Sequence, residues 1–205
     1  MIITINPHNP QPRLIKKVAE VLQEGGVIAY PTDTIYGLGC DLYRKDGQQK
    51  IRHLKKHHKS KQLSIICADL KEISKYAFVP NYAYRIMRHL IPGAYTFILR
   101  ATKLVPKIML TNQKSIGIRV PDNAISQALL KELGHPIVTT SVTRPDESLY
   151  NHPEDIDQMF GKALDLVIDG GSIVAEHSSI IDLTGEDPIV VRKGKGDLSF
   201  IGEEG

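Results

Sequence analysis

SIGIRVPDNAISQALLKELGHPIVTTS, residues 115–141, reads as a strand, a helix and a second strand in succession. SIGIRVP (115–121) alternates Ile116, Ile118 and Val120 onto one side, and PIVTTS (136–141) is a short apolar run ending in hydroxyls. AISQALLKEL lies between them as a helix. A helix set between two apolar strands is the building unit of an α/β domain, and the rest of the chain keeps to it. PQPRLIKKVAEVLQEGG (10–26) places Leu14, Val18, Val21 and Leu22 at helical spacing, with Pro12 near its start and Gly25-Gly26 at its stop. Strands follow at 27–30, 62–67, 94–101, 164–170, 178–183 and 188–194, and helices at about 46–58, 69–77, 81–90 and 153–163. The fold class is therefore α/β: a single domain over residues 1–205, core about 10–196, with a mixed sheet flanked by helices.

Composition agrees with a globular protein: 205 residues, 41% hydrophobic and 24% charged, fill one substantial core. The two cysteines, Cys40 and Cys67, lack metal-type spacing and suit a reducing compartment. The N-terminus reads as no signal peptide and no apolar run is long enough to span a bilayer, so the expectation is a cytoplasmic protein with no membrane partner. The net charge of +3 conceals an asymmetry: residues 1–120 carry 20 basic against 7 acidic side chains, and residues 121–205 carry 6 against 16. Such a field favours an anionic partner on the first part, unless the two parts fold together and neutralise each other.

Polar groups cluster at strand ends, where open α/β sheets bind ligands. In PTDTIYGLG (31–39), Thr32, Thr34 and Tyr36 bring hydroxyls together, and Pro31, Gly37 and Gly39 read as shaping a turn. The run from Lys50 to Lys61 holds five Lys, one Arg and three His without a carboxylate. It is either a solvated basic helix face, a nucleic-acid footprint made by Lys50, Arg52, Lys56, Lys59 and Lys61, or a cationic wall for phosphates. His53 and His57 are four apart, but the local positive field opposes a cation and no metal site is assigned. Arg119, in a strand of Ile and Val, is either an edge residue in water or the grip for a carboxylate or phosphate. PIVTTSVTRP ends in the hydroxyls of Thr139, Thr140, Ser141 and Thr143, more than a turn needs.

In this order YPTDTIYGLG, LKKHHKSKQLSI, PGAYTF, SIGIRVPDN, PIVTTS and SSIIDLTGEDPIVVRKG resemble the YrdC/YciO family, which includes the threonylcarbamoyl-AMP synthases of tRNA modification; the match spans residues 25–196. The resemblance implies a twisted mixed sheet around a basic concave cavity. It also implies ATP with magnesium, threonine and bicarbonate as reactants of a nucleotidyl transfer that releases pyrophosphate. It places Lys55 and Ser141 at catalytic positions, and Thr34, Arg119, Thr139 and Ser178 around the amino acid. Ser115, Ser141 and Arg192 fall at nucleotide contacts.

The chain departs from the synthase pattern. The Lys-x-Arg pair reads Lys55-Lys56-His57, and Ser-x-Asn reads Ser141-Val142-Thr143. Lys61 and Ile66 replace an Asn and a His. Neutral histidine cannot make arginine's bidentate phosphate contact, and threonine lacks the carboxamide. The pattern resembles the YciO branch. Two functions follow as expectations: an enzyme of threonylcarbamoyl chemistry, making the adenylate weakly or acting on modified tRNA, or a non-catalytic binder of double-stranded RNA or tRNA using the same cavity.

Overall fold

Asn123 and Gly134 delimit the helix of the 115–141 unit as local chemistry requires. The Asn123 side chain accepts the Ser126 N–H at 3.0 Å, and Gly134 ends the helix with a left-handed φ of 72°. The computed structural model describes residues 1–55, 63–144 and 146–201. In chain order its elements are β1 (Ile2–Thr4), α1 (Pro12–Gln23), β2 (Ile28–Tyr30), β3 (Gly37–Asp41), α2 (Lys45–Leu54) and β4 (Ser64–Ile66). There follow α3 (Leu70–Tyr76), β5 (Ala77–Phe78), α4 (Asn81–Met87), β6 (Tyr95–Ala101), β7 (Ser115–Arg119) and α5 (Ala124–Leu133). The chain closes with β8 (Ile137–Ser141), α6 (Pro153–Phe160), β9 (Leu166–Asp169), β10 (Ser179–Asp182) and β11 (Ile189–Arg192). No helix among the described residues is long and apolar enough to cross a membrane.

Among the described residues the strands form one mixed sheet in the order β1-β9-β2-β3-β8-β4-β7-β6-β10-β11, with β5 paired to β6. β1 and β2 run parallel to β9, β4 parallel to β7, and β6 parallel to β10, while the remaining pairs are antiparallel. The single α/β domain with helices on both faces is thus as the alternating pattern requires.

The two faces are covered unequally. One packs Phe97, Leu99, Ile116, Ile118 and Val138 into a continuous core with Ile51 of α2, Ile73 of α3, Met87 of α4 and Ile156 of α6. On the other, α1 and α5 bring Ile15, Val18, Leu22, Ile125 and Leu129 onto Ile28, Tyr30, Ile66, Ile137 and Ile168. Each large aliphatic chain buried this way contributes about 1.5–3 kcal/mol. Beyond these helices, among the described residues, Ser64 of β4, Ser115 and Gly117 of β7, Thr96 and Ile98 of β6 and Ile180 and Asp182 of β10 line an open cavity.

Three local expectations need correction. Gly37 and Gly39 are strand residues of β3, not turn glycines. A Cβ on Gly37 would meet Tyr30 Cζ at 2.9 Å, and one on Gly39 would meet Tyr30 Cε1 at 2.8 Å, so their smallness makes room for a ring. The helix expected to reach 58 ends at Leu54, with residues 56–58 outside the described set. Residue 77, assigned to a helix, begins β5.

The Gly39→Ala variant should lose about 1–3 kcal/mol of stability, because the Tyr30 ring is fully buried and cannot retreat. Urea unfolding would show a lower midpoint at an unchanged slope.

Candidate functional site

Arg119 closes β7, which lies between β4 and β6 and is not an edge. Its side chain is on the second face, opposite Ile116 and Ile118, and the residue is only 7% exposed. A guanidinium so placed must find acceptors. Nε donates to the Gly93 carbonyl at 3.2 Å, Nη1 donates to Thr34 Oγ1, and Nη2 donates to Asp33 Oδ1 at 2.5 Å. One of its acceptors is thus a carboxylate of the chain itself, Asp33. Asp33 Oδ1 also accepts the Asp122 N–H at 3.1 Å. Thr34 is fully buried in a turn held by Thr32, whose hydroxyl donates to the Ile35 carbonyl at 2.6 Å and accepts the Thr34 N–H at 3.1 Å.

Arg192, at the end of β11, reaches the same region. Its Nε and Nη2 donate to the Ser178 carbonyl at 3.1 and 2.9 Å, and Nη2 lies 3.3 Å from Ser178 Oγ. Ser178 Oγ in turn shares a hydrogen bond with Thr96 Oγ1 at 2.9 Å. Burial lowers the affinity of Arg192 for its proton, and the nearby positive charge of Arg119 lowers it further. The two arginines lie close enough for their charges to interact, while the Asp33 carboxylate answers that of Arg119. Beside them His177 is pushed below the usual histidine range by burial and by Arg192, with Glu147 acting the other way. Its Nδ1 is buried without a hydrogen-bond partner, which also disfavours the doubly protonated ring.

Lys55 follows α2 and is not part of a solvated basic face: it is 4% exposed. Its Nζ donates to the Ser141 carbonyl at 3.1 Å and to Thr143 Oγ1 at 2.9 Å. The residue standing at the family's asparagine position thus holds the lysine. Burial lowers the Lys55 pKa, partly offset by Glu147, whose charge is felt by both Lys55 and His177. Glu147 is held with a φ of 67°, unusual for a residue with a Cβ.

The cavity, of about 850 Å³, is lined by Ser64, Thr96, Ser115, Gly117 and Asp182, with Arg52 also among its lining residues. Ser115 Oγ is 2.7 Å from Thr111 Oγ1. Among the described lining residues the charged ones are Arg52 and Asp182. Thr139, on β8, is bound through Oγ1 to Tyr30 Oη at 2.6 Å, and burial pushes the Tyr30 phenol up to about 12.

Arg119, bonded to Thr34, and Arg192, bonded to Ser178, therefore lie near each other; Lys55, Ser141 and Thr143 form another group, and Ser115 stands further along β7. Lys56, His57, Lys59 and Lys61 lie outside the described residues. Lys50, expected to face an anion, is committed to Asp165 at 2.7 Å. Asp33, Glu147, His177 and Lys195 went unread in the sequence. Asp33 sits inside the quoted PTDT motif, but attention to its hydroxyls hid the acid.

Fold and site together define an α/β protein with an open polar sheet face and a pocket of arginines and hydroxyls at its end. The family model for Sua5, YciO and YrdC, described as telomere recombination, matches residues 20–194, and the chain belongs to this family. It is 44% identical over 196 residues to the uncharacterized protein YciO of Escherichia coli strain K12, covering 95% of each chain. The crystal structure of E. coli YciO superposes with a TM-score of 0.92 over 96% of this chain and 97% of that one. A threonylcarbamoyl-AMP synthase of Idiomarina loihiensis is 32% identical over 148 residues, covering 70% of this chain and 79% of the synthase. P. abyssi Sua5 in complex with L-threonine, 24% identical, shares the fold at a TM-score of 0.89, over 98% of this chain and 59% of Sua5.

The lowered Lys55 pKa has a thermodynamic consequence of definite sign. Between its lowered folded value and the ordinary lysine value of 10.5 the unfolded chain binds more protons, so this group makes stability rise with pH. Wild type should gain on a Lys55→Met variant as pH is raised from 7 toward 10, measured by paired urea titrations.

Proposed function

We propose that the protein performs threonylcarbamoyl chemistry, with a small hydroxy amino acid at Thr34, Arg119 and Ser178 and a nucleotide in the adjoining cavity. The observation that carries this reading is that Arg119, bonded to Thr34, and Arg192, bonded to Ser178, lie close enough for their charges to interact. L-Threonine, the ligand in the Sua5 complex, offers the groups such a pocket answers: a carboxylate for Arg119 and a hydroxyl for Thr34 and Ser178. The cavity beside Ser115 has the room for an adenine nucleotide. In the synthase reaction, threonine, bicarbonate and ATP give threonylcarbamoyl-AMP, pyrophosphate and water. Charge develops on the leaving pyrophosphate, where Arg192 and Lys55 supply compensation. Magnesium enters this reading with the nucleotide, as the resemblance implies.

The departures direct the reading. Thr143 engages the Lys55 ammonium, which weakens what that lysine can give to a phosphate. The activity that follows is a slow synthase, or an enzyme acting on the threonylcarbamoyl group already on tRNA, in the cytoplasm where Cys40 and Cys67 stay reduced. Binding of double-stranded RNA through the 50–61 run has no comparable support, since Lys50 is already paired.

Purified protein incubated with ATP, L-threonine, bicarbonate and magnesium should release pyrophosphate and yield threonylcarbamoyl-AMP by mass, or should change threonylcarbamoylated tRNA. Neither product means the reading is wrong. Arg119→Lys, which keeps the charge but loses the planar fork, should weaken threonine by about ten- to a hundredfold. A His57→Arg, Thr143→Asn double variant should raise the rate of adenylate formation if those positions set it.

A further inference from the structure

The segment after β11 carries a feature that the family reading does not use. Residues 193–197, KGKGD, cross directly over His177 and Tyr95. A Cβ on Gly194 would lie 2.3 Å from the His177 carbonyl oxygen, and one on Gly196 would lie 2.5 Å from Tyr95 Cε1. Neither neighbour can yield, because the first is backbone and the second a ring whose hydroxyl donates to the Asp197 carbonyl at 3.0 Å. Ser179 Oγ fastens both glycines, accepting the Gly194 N–H at 3.0 Å and donating to the Gly196 carbonyl at 2.7 Å. The Lys195 N–H donates to the His177 carbonyl at 2.8 Å. Between two glycines that only bare backbone can replace, the strap presents one side chain to the site. That side chain is exposed, and its Nζ donates to the Asp33 carbonyl at 2.6 Å.

Arg119 and Lys195 therefore both hold the Asp33-Thr34 segment, one from the buried strand through the Asp33 carboxylate and the Thr34 hydroxyl, the other from an exposed strap through the Asp33 carbonyl. Their electrostatic states differ. The Arg119 charge is largely answered by the Asp33 carboxylate, so by itself it is a weak grip for a second anion. The Lys195 ammonium faces a neutral carbonyl and is exposed, so among the described residues no carboxylate answers its charge.

We propose that Lys195 is the second half of a carboxylate clamp with Arg119, and that it makes the pocket select amino acids with a free α-carboxylate over their neutral amides or esters. This rests on the threonine pocket proposed above and adds a discriminating residue to it. Lys195→Met keeps the aliphatic stem and removes the charge, and Lys195→Arg restores it.

Calorimetric titration of the full chain with L-threonine and with L-threoninamide tests the clamp. Wild type should prefer threonine. Lys195→Met should weaken threonine about tenfold and the amide less than about twofold, with Lys195→Arg within about threefold of wild type. Threonine affinity unchanged in Lys195→Met overturns the proposal. So does an equal loss for both ligands, which would make the strap merely structural. Should wild type bind no threonine, the threonine reading fails and the clamp is judged separately, by thermal stabilisation with L-serine, L-lactate and glycolate. Stabilisation that disappears in Lys195→Met then upholds it, and stabilisation indifferent to that substitution, or none at all, overturns it.

Discussion

A guanidinium sunk in an interior strand is the constraint around which this molecule is arranged. Arg119 could not stay in β7 without acceptors, and removing one partner from such a buried pair costs about 3–5 kcal/mol. Its acceptors come from the carbonyl of Gly93, the hydroxyl of Thr34 and the carboxylate of Asp33. The turn ahead of β6 and the loop after β2 are thereby drawn to the same strand end. What stabilises the fold at this point also builds the pocket.

The second constraint is the incomplete cover of one sheet face. α1 and α5 pack their apolar side chains on residues of β9, β2, β8 and β4, and no β6 or β10 residue joins that cluster among the described residues. Among the described residues the strand positions lining the cavity include Ser64, Thr96, Ser115 and Gly117, beside Ile98 and Ile180. Gly117 has no room for a Cβ against Ser64 Oγ at 2.7 Å, which keeps the floor of the cavity flat. A lining of hydroxyls and isoleucines that includes Arg52 suits a ligand that is part heterocycle and part anion.

Much of this was legible beforehand, for identifiable reasons. The helix at 124–133 and the strands around it follow from apolar spacing, which is a local property, and burial later obeys it. Thr34, Arg119 and Ser178 could be named because they stand in motifs whose order along the chain is informative. Gly37 and Gly39 were misread as turn residues because glycine signals the need for space or for an unusual φ, and the sequence does not say which. Here the need was space for Tyr30, a contact between neighbouring strands. Lys55 read equally well as solvated, since a lysine among lysines carries no sign of its burial.

The sequence alone determined the class of fold, the strand ends that carry polar groups and the sign of the charge around them, because periodicity and composition are written residue by residue. Only the tertiary structure decided which of those groups share a site. Asp33 answers Arg119 across 86 residues, Thr143 answers Lys55 across 88, and Lys195 reaches Asp33 across 162. Such pairings depend on strand order and on which helix fails to cover a face. Hydrogen bonding and burial then assign each polar group its partner, and no local pattern encodes that choice.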